Sequence, residues 1–117
     1  MTMVTLHAVL HRRPDLTHEQ FLRHWREVHG PLIRDTPELA RHLLAYEQHA
    51  RVAALGGDQP DGVTVQRFAS WDDFLALLAE PAATAMNDDM ANFLDVARLT
   101  IAFTTDPHTV VEPEENA

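Results

Sequence analysis

The segment FLRHWREVHGPL, Phe21 to Leu32, carries the side chains best suited to chemistry. His24 and His29 titrate near neutral pH, so either can take a proton from a carbon acid and return it. Trp25 offers an indole N–H that can orient a ligand, although a tryptophan at helical spacing more often serves the core. Downstream, Tyr46 is the only tyrosine, and a phenol can donate to a developing enolate oxygen. His49 lies three residues on, which in a regular strand is the opposite face. Tyr46 and His49 reach one pocket only if a bulge intervenes. A zinc site on the helix fails on spacing. His24 and His29 are five apart, about 140° around an α-helix, rather than the i, i+4 pair that chelates. His7 and His11 share a strand face but sit roughly 13 Å apart. Metal ligands and cofactors are therefore not expected.

Bulk composition narrows the classes further. The 117 residues suit one domain with one modest core, and 45% apolar residues can fill it. Nine basic against 18 acidic side chains give a formal net charge of −9. That excess argues against nucleic acid and anionic membrane surfaces, which select basic patches. With no cysteine, disulfides, thiolate nucleophiles and cysteine–zinc sites are excluded. The N-terminus has no basic n-region or cleavage site, and no apolar run approaches the ~20 residues of a membrane span. A cytoplasmic protein is expected.

The elements that must hold these residues follow from periodicity. Residues 3–11 alternate and read as a strand, with Val4, Leu6, Ala8 and Leu10 on one face and Thr5, His7, Val9 and His11 on the other. Thr17 with Gln20 forms a capping box for a helix over about 18–34, whose inward stripe is Phe21, Trp25, Val28 and Leu32. Pro31 is expected to bend or fray its last turn, and Thr36-Pro37 to close the segment. Residues 41–52 read as a second strand, with a helix possible from propensity. The glycine-rich run 56–62 is a loop, and 63–69 a third strand. Ser70 with Asp73 caps a helix carrying Trp71, Phe74, Leu77 and Leu78. A further helical piece, 82–96, turns Met86, Met90, Phe93 and Leu94 inward. Residues 98–105 make the last strand, and 107–117 an acidic tail.

The order β-α-β-β-α-β is the ferredoxin-like α+β pattern: a four-stranded antiparallel sheet with helices on one face. Residues Thr64, Gln66 and Phe68 with Thr100, Ala102 and Thr104 are assigned to the other, mixed face. A mixed face bearing Phe68 and Val9 is too apolar to stay wet, so a homodimer pairing two sheets is expected.

The run LHRRPDLTHEQFLRHWREVHGPL resembles the signature of the EthD-like family in the dimeric α/β-barrel superfamily. Phe21, His24, Trp25, His29, Pro31 and Leu32 match its pattern. Asp61-Gly62 before a strand, Glu80-Pro81, Asp89, Phe93 and Asp95 match more loosely. The resemblance spans roughly residues 3–111. It implies a dimeric α/β barrel with a pocket between helices and sheet in each protomer. It also implies activities as different as decarboxylation, lactone isomerisation, cyclisation and cofactor-free oxygenation, among which fold alone does not choose. His29 aligns with a proton-transfer histidine of the superfamily's muconolactone methylisomerases, and Tyr46 resembles their active-site tyrosine. The plant cyclases' catalytic histidine is replaced here by Ala83, so their mechanism does not carry over.

The reading that results is a cofactor-independent lyase, isomerase or cyclase. Its substrate is a hydrophobic keto- or phenol-bearing, polyketide-like metabolite. His29, Tyr46 and His49 are the catalytic candidates, and His24, Trp25, Phe21 and Phe93 the substrate-binding ones. The alternatives are a cofactor-free monooxygenase of a quinol and a non-catalytic carrier of a small ligand.

Overall fold

Four strands pair antiparallel in the order β2-β3-β1-β4. They are β1 (Val4–Leu10), β2 (Ala45–Ala50), β3 (Gly62–Phe68) and β4 (Thr100–Thr104). The structure is a computed structural model and describes residues 2–53 and 56–114; the end of the expected acidic tail, 115–117, lies outside them. Helical stretches cover one face of the sheet. The first runs as α1 (His18–His24), a π turn (Trp25–His29) and α2 (Gly30–Arg34). A short α3 (Pro37–Ala40) follows. After β3 come α4 (Trp71–Ala79) and α5 (Ala83–Met90). This is the ferredoxin-like arrangement that the element order implies.

The caps act as their residue types require. Thr17 accepts from the Gln20 N–H at 3.1 Å, and Gln20 Oε1 accepts from the Thr17 N–H at 2.9 Å. Ser70 accepts from the Asp73 N–H. Pro37 opens a helix instead of closing a segment, because a proline at the first helical position gives up only an N–H that had no partner. The second strand is correspondingly shorter than 41–52.

Pro31 does not fray the first helix. The chain stays helical through Arg34, and the strain is taken up just before the proline, where the helix widens to i→i+5 pairing. The inward stripe shifts with it. Phe21, Trp25, His29 and Ile33 are buried in steps of four, while Val28 is exposed.

Register fixes the faces. Leu6 pairs with Gln66, Ala8 with Thr64 and Val4 with Phe68. Thr64, Gln66 and Phe68 therefore face the helices with the aliphatic side of β1, which corrects their assignment to the outer face. Alternation alone does not say which of two mixed faces on β3 is buried. The outer face carries Thr5, His7 and Val9 of β1, Val63, Val65 and Arg67 of β3, Glu47 and His49 of β2, and Thr100, Ala102 and Thr104 of β4. His7 Nε2 and Thr104 Oγ1 lie 2.9 Å apart on it.

Asp61 ties the two halves together. Its buried carboxylate accepts from the Arg12 N–H at 2.9 Å and the Arg12 guanidinium at 3.2 Å, and lies 2.8 Å from His18 Nδ1. Burial pushes its pKa up, but these contacts outweigh burial and hold it below the ordinary carboxylate value. The next residue, Gly62, lies under the Trp25 ring; a Cβ there would stand 2.6 Å from a ring carbon. The Asp-Gly pair thus joins an anchor to a bare patch of backbone that admits the indole.

Candidate functional site

The π turn places His24 and His29 on one side of the helix. Five residues span about 140° in an α-helix, but the extra residue in the turn removes most of that divergence. Asp89, from α5, sits between the two imidazoles. His29 Nδ1 lies 2.8 Å from its Oδ2, and His24 Nε2 lies 2.9 and 3.0 Å from its two oxygens. Asn92 donates to Oδ1 at 3.0 Å. Both rings also rest on Phe93, with centroids 5.0 and 4.9 Å away. Among the described residues no group of three or more His, Cys, Asp or Glu side chains is arranged to hold a metal. Here the nitrogens turn toward a carboxylate.

Burial and this carboxylate set the charge states. Burial lowers the His29 pKa below 6.5, and the opposing pull of Asp89 does not restore it. Burial pushes Asp89 up, but hydrogen bonds from Asn92, His29 and His24 outweigh that, so it stays ionised. A neutral His29 that donates Nδ1–H to Asp89 has its lone pair on Nε2. That nitrogen makes no hydrogen bond among the described residues, and the His29 ring forms part of a cavity wall. The helix continues to Arg34, so no helix C-terminus lies at His29 to raise its pKa.

The cavity has a volume of about 230 Å³ and lies between the helices and the sheet. A void of about 150 Å³ holds benzene, so this one takes a single ring with short substituents. Its walls are mostly aliphatic and aromatic, among them Leu6, Leu77, Met90 and Phe93. Among the described residues His29 is its one ionisable side chain besides Tyr46. Tyr46 enters it from β2, and burial raises the phenol pKa against the hydrogen bonds around it, so the hydroxyl stays protonated. Gln48 Nε2 donates to the Tyr46 oxygen at 3.3 Å and to the Trp25 carbonyl at 2.9 Å. The Trp25 side chain is fully buried, and its indole N–H meets no partner in good hydrogen-bond geometry among the described residues, although it lies close enough to the Tyr46 hydroxyl to pull against the rise in that phenol's pKa. A buried donor left open costs free energy that a ligand oxygen can recover.

The sequence candidates thus divide. His29, Tyr46, Trp25 and Phe93 meet at the cavity. His24 does not line it, which corrects its place among the binding residues; it touches Asp89 and Phe93 instead. Phe21 packs on Trp25 and Phe93 in the core, outside the lining, which corrects its place among the binding residues. His49 is also corrected. It pairs with Val63 on the outer face, because β2 runs without a bulge from Ala45 to Ala50. Sequence reasoning gives no role to Asp89, Gln48 or Thr64. Asp89 leaves a trace: it is an acid on the same helical face as Met86, Met90 and Phe93, where a carboxylate needs partners.

No curated protein matches the chain. Among solved structures, a dimeric protein of ferredoxin-like fold from Bacteroides fragilis aligns with a TM-score of 0.68 at 15% identity, over 89% of this chain and 96% of that one. A hydroxynitrile lyase from Passiflora edulis aligns at 0.66 and 14% identity, over 93% and 97%. SnoaB, a cofactor-independent oxygenase from Streptomyces nogalater, aligns at 0.64 and 12%, over 96% and 100%. At these identities the likeness is one of fold. The EthD domain pattern matches residues 13–97, which include both histidines, Asp61-Gly62 and Asp89, so the chain belongs to the EthD domain family.

Proposed function

We propose that this protein is a cofactor-independent enzyme that moves a proton on a small, hydrophobic, keto- or phenol-bearing molecule of polyketide-like character. One observation supports the reading: His29, held through Nδ1 by Asp89 and with no hydrogen bond to Nε2 among the described residues, lines an apolar cavity that Tyr46 also lines. In the first step Nε2 takes a proton from the carbon next to a carbonyl. The C–H pair forms the carbon–carbon double bond of an enolate as the C=O π pair moves onto the oxygen, and the imidazolium is stabilised by the Asp89 carboxylate. The Tyr46 hydroxyl and the Trp25 N–H are the donors for that oxygen. The imidazolium then returns the proton to another carbon or to a leaving group, giving isomerisation or elimination. Lyase chemistry occurs on this fold in the Passiflora enzyme, which supports the class but not the substrate.

The test is proton exchange. In D₂O, one-ring aryl ketones and 1,3-diketones are expected to gain deuterium at the α-carbon faster with protein than in buffer alone, with no oxygen uptake. Exchange at the buffer rate across the panel, with oxygen consumed when a hydroquinone is supplied, would move the assignment to oxygenation.

The assembly proposed is a homodimer, with the outer sheet faces packed together. Val63, Val65 and Val9 give that face an apolar centre that no described element of the protomer covers, and the Bacteroides protein with this fold is a dimer. Val65→Asp, at the middle of the face, is expected to halve the mass measured by light scattering. A wild-type monomer at micromolar concentration would rule the dimer out.

A further inference from the structure

A second concavity, of about 480 Å³, lies outside the cavity, along α2 and the start of β2. Ile33 and Tyr46 belong to both linings, so the two spaces abut. Its walls include Pro31, Leu43 and Leu44, and among the described residues its only charged side chains are Arg26 and Arg34. None of the described acids lines it, in a chain whose acids outnumber its bases 18 to 9. Arg34 is matched by both oxygens of Asp35, at 2.8 and 2.9 Å. Arg26 makes no ion pair among the described residues. Arg12, Arg13, Arg34, Arg41, Arg51 and Arg98 all do. Arg23 and Arg67 also lack one among the described residues, but neither lines this groove or the cavity. At the inner end Gln48 links the groove to the Tyr46 hydroxyl.

From these observations we infer that the groove binds the anionic end of the substrate: an amphipathic carboxylate whose acid group meets Arg26 while its apolar part lies against Ile33 and Tyr46. A free guanidinium beside apolar walls favours one carboxylate on a hydrophobic body, since it offers a forked charge-assisted contact that a neutral molecule cannot use. The inference rests on the reading of the cavity as the reaction site, and adds a charge requirement to the substrate class.

The experiment compares phenylacetate with its neutral amide by calorimetric titration of the intact protein. The acid is expected to bind about tenfold more tightly at low salt. Arg26→Gln removes that preference and leaves amide affinity unchanged. Arg23→Gln, an exposed arginine on the same helix but off the groove, keeps it. Because only binding is read, His29→Ala also keeps it, whatever the fate of proton transfer. Equal affinity of acid and amide, or a preference that survives Arg26→Gln, overturns the inference.

Discussion

His29→Ala is expected to lower α-proton exchange by about 10²- to 10⁴-fold, the usual worth of a positioned general base. The fold should survive, because the imidazole is held by one carboxylate and one ring face rather than by the backbone. Asp89→Asn tests the orientation separately. An asparagine amide can donate where the carboxylate accepts, so it permits the tautomer with the proton on Nε2 and leaves no base facing the cavity. The expected loss is roughly 10- to 10³-fold, with ligand affinity little changed. The pH profile follows from the same pair. Neutral His29 is the active form, and its pKa lies below 6.5, so exchange stays level through neutral pH and falls only as acidification protonates it. In wild type the fall comes below the point at which an ordinary histidine loses activity. A rate that rises on acidification, or a His29→Ala protein with full exchange, assigns the base elsewhere.

Gly62→Ala is expected to be the most damaging single methyl group in the chain. The added Cβ would stand 2.6 and 2.7 Å from two ring carbons of Trp25 and 3.1 Å from the His49 carbonyl oxygen. Trp25 is fully buried between Phe21 and the sheet, and the carbonyl is strand backbone, so neither can yield easily. Overpacking of this kind costs about 1–3 kcal/mol and can exceed that where backbone must move. Urea titration at unchanged m-value reads the loss directly. The effect on the site should be disproportionate, because Trp25 carries the open N–H at the cavity wall. Trp25→Phe combined with Gly62→Ala, which trades an indole for a smaller ring, should recover part of the stability. A Gly62→Ala protein as stable as wild type contradicts the close packing.

Much of the fold and part of the site are legible in the residues alone. Alternation assigns β1 its faces, the Thr17–Gln20 box starts the first helix where it starts, and Met86 and Met90 turn inward as their spacing requires; Phe93 and Leu94 are buried too, but beyond α5, which ends at Met90 and not at 96. His29, Trp25, Phe93 and Tyr46 stand out as candidates by type and position, and the structure brings them to one cavity. What stays hidden is hidden for lack of pairing information. Thr64, Gln66 and Phe68 alternate with Val63, Val65 and Arg67, and either set makes a plausible inner face until the register with β1 is known. His49 cannot be set apart from Tyr46 while a bulge stays open. The meeting of His24 and His29 is invisible to a 100° wheel, since a π turn leaves no periodicity of its own. Proline at residue 31 is its one sequence trace.

That turn makes the site a matter of counting. The helix from His18 to Arg34 holds one residue more than an α-helix needs to travel from Phe21 to Ile33 on the same face. Winding the same residues into ordinary i→i+4 pairing throughout would give a tighter helix. It would also swing the preceding and following residues about 100° relative to one another. Asp89 could then meet one imidazole but not both, and Arg26 would leave its groove. The chain keeps a slightly worse helix, and with that surplus residue it aims a base inward and a cation outward from a single turn.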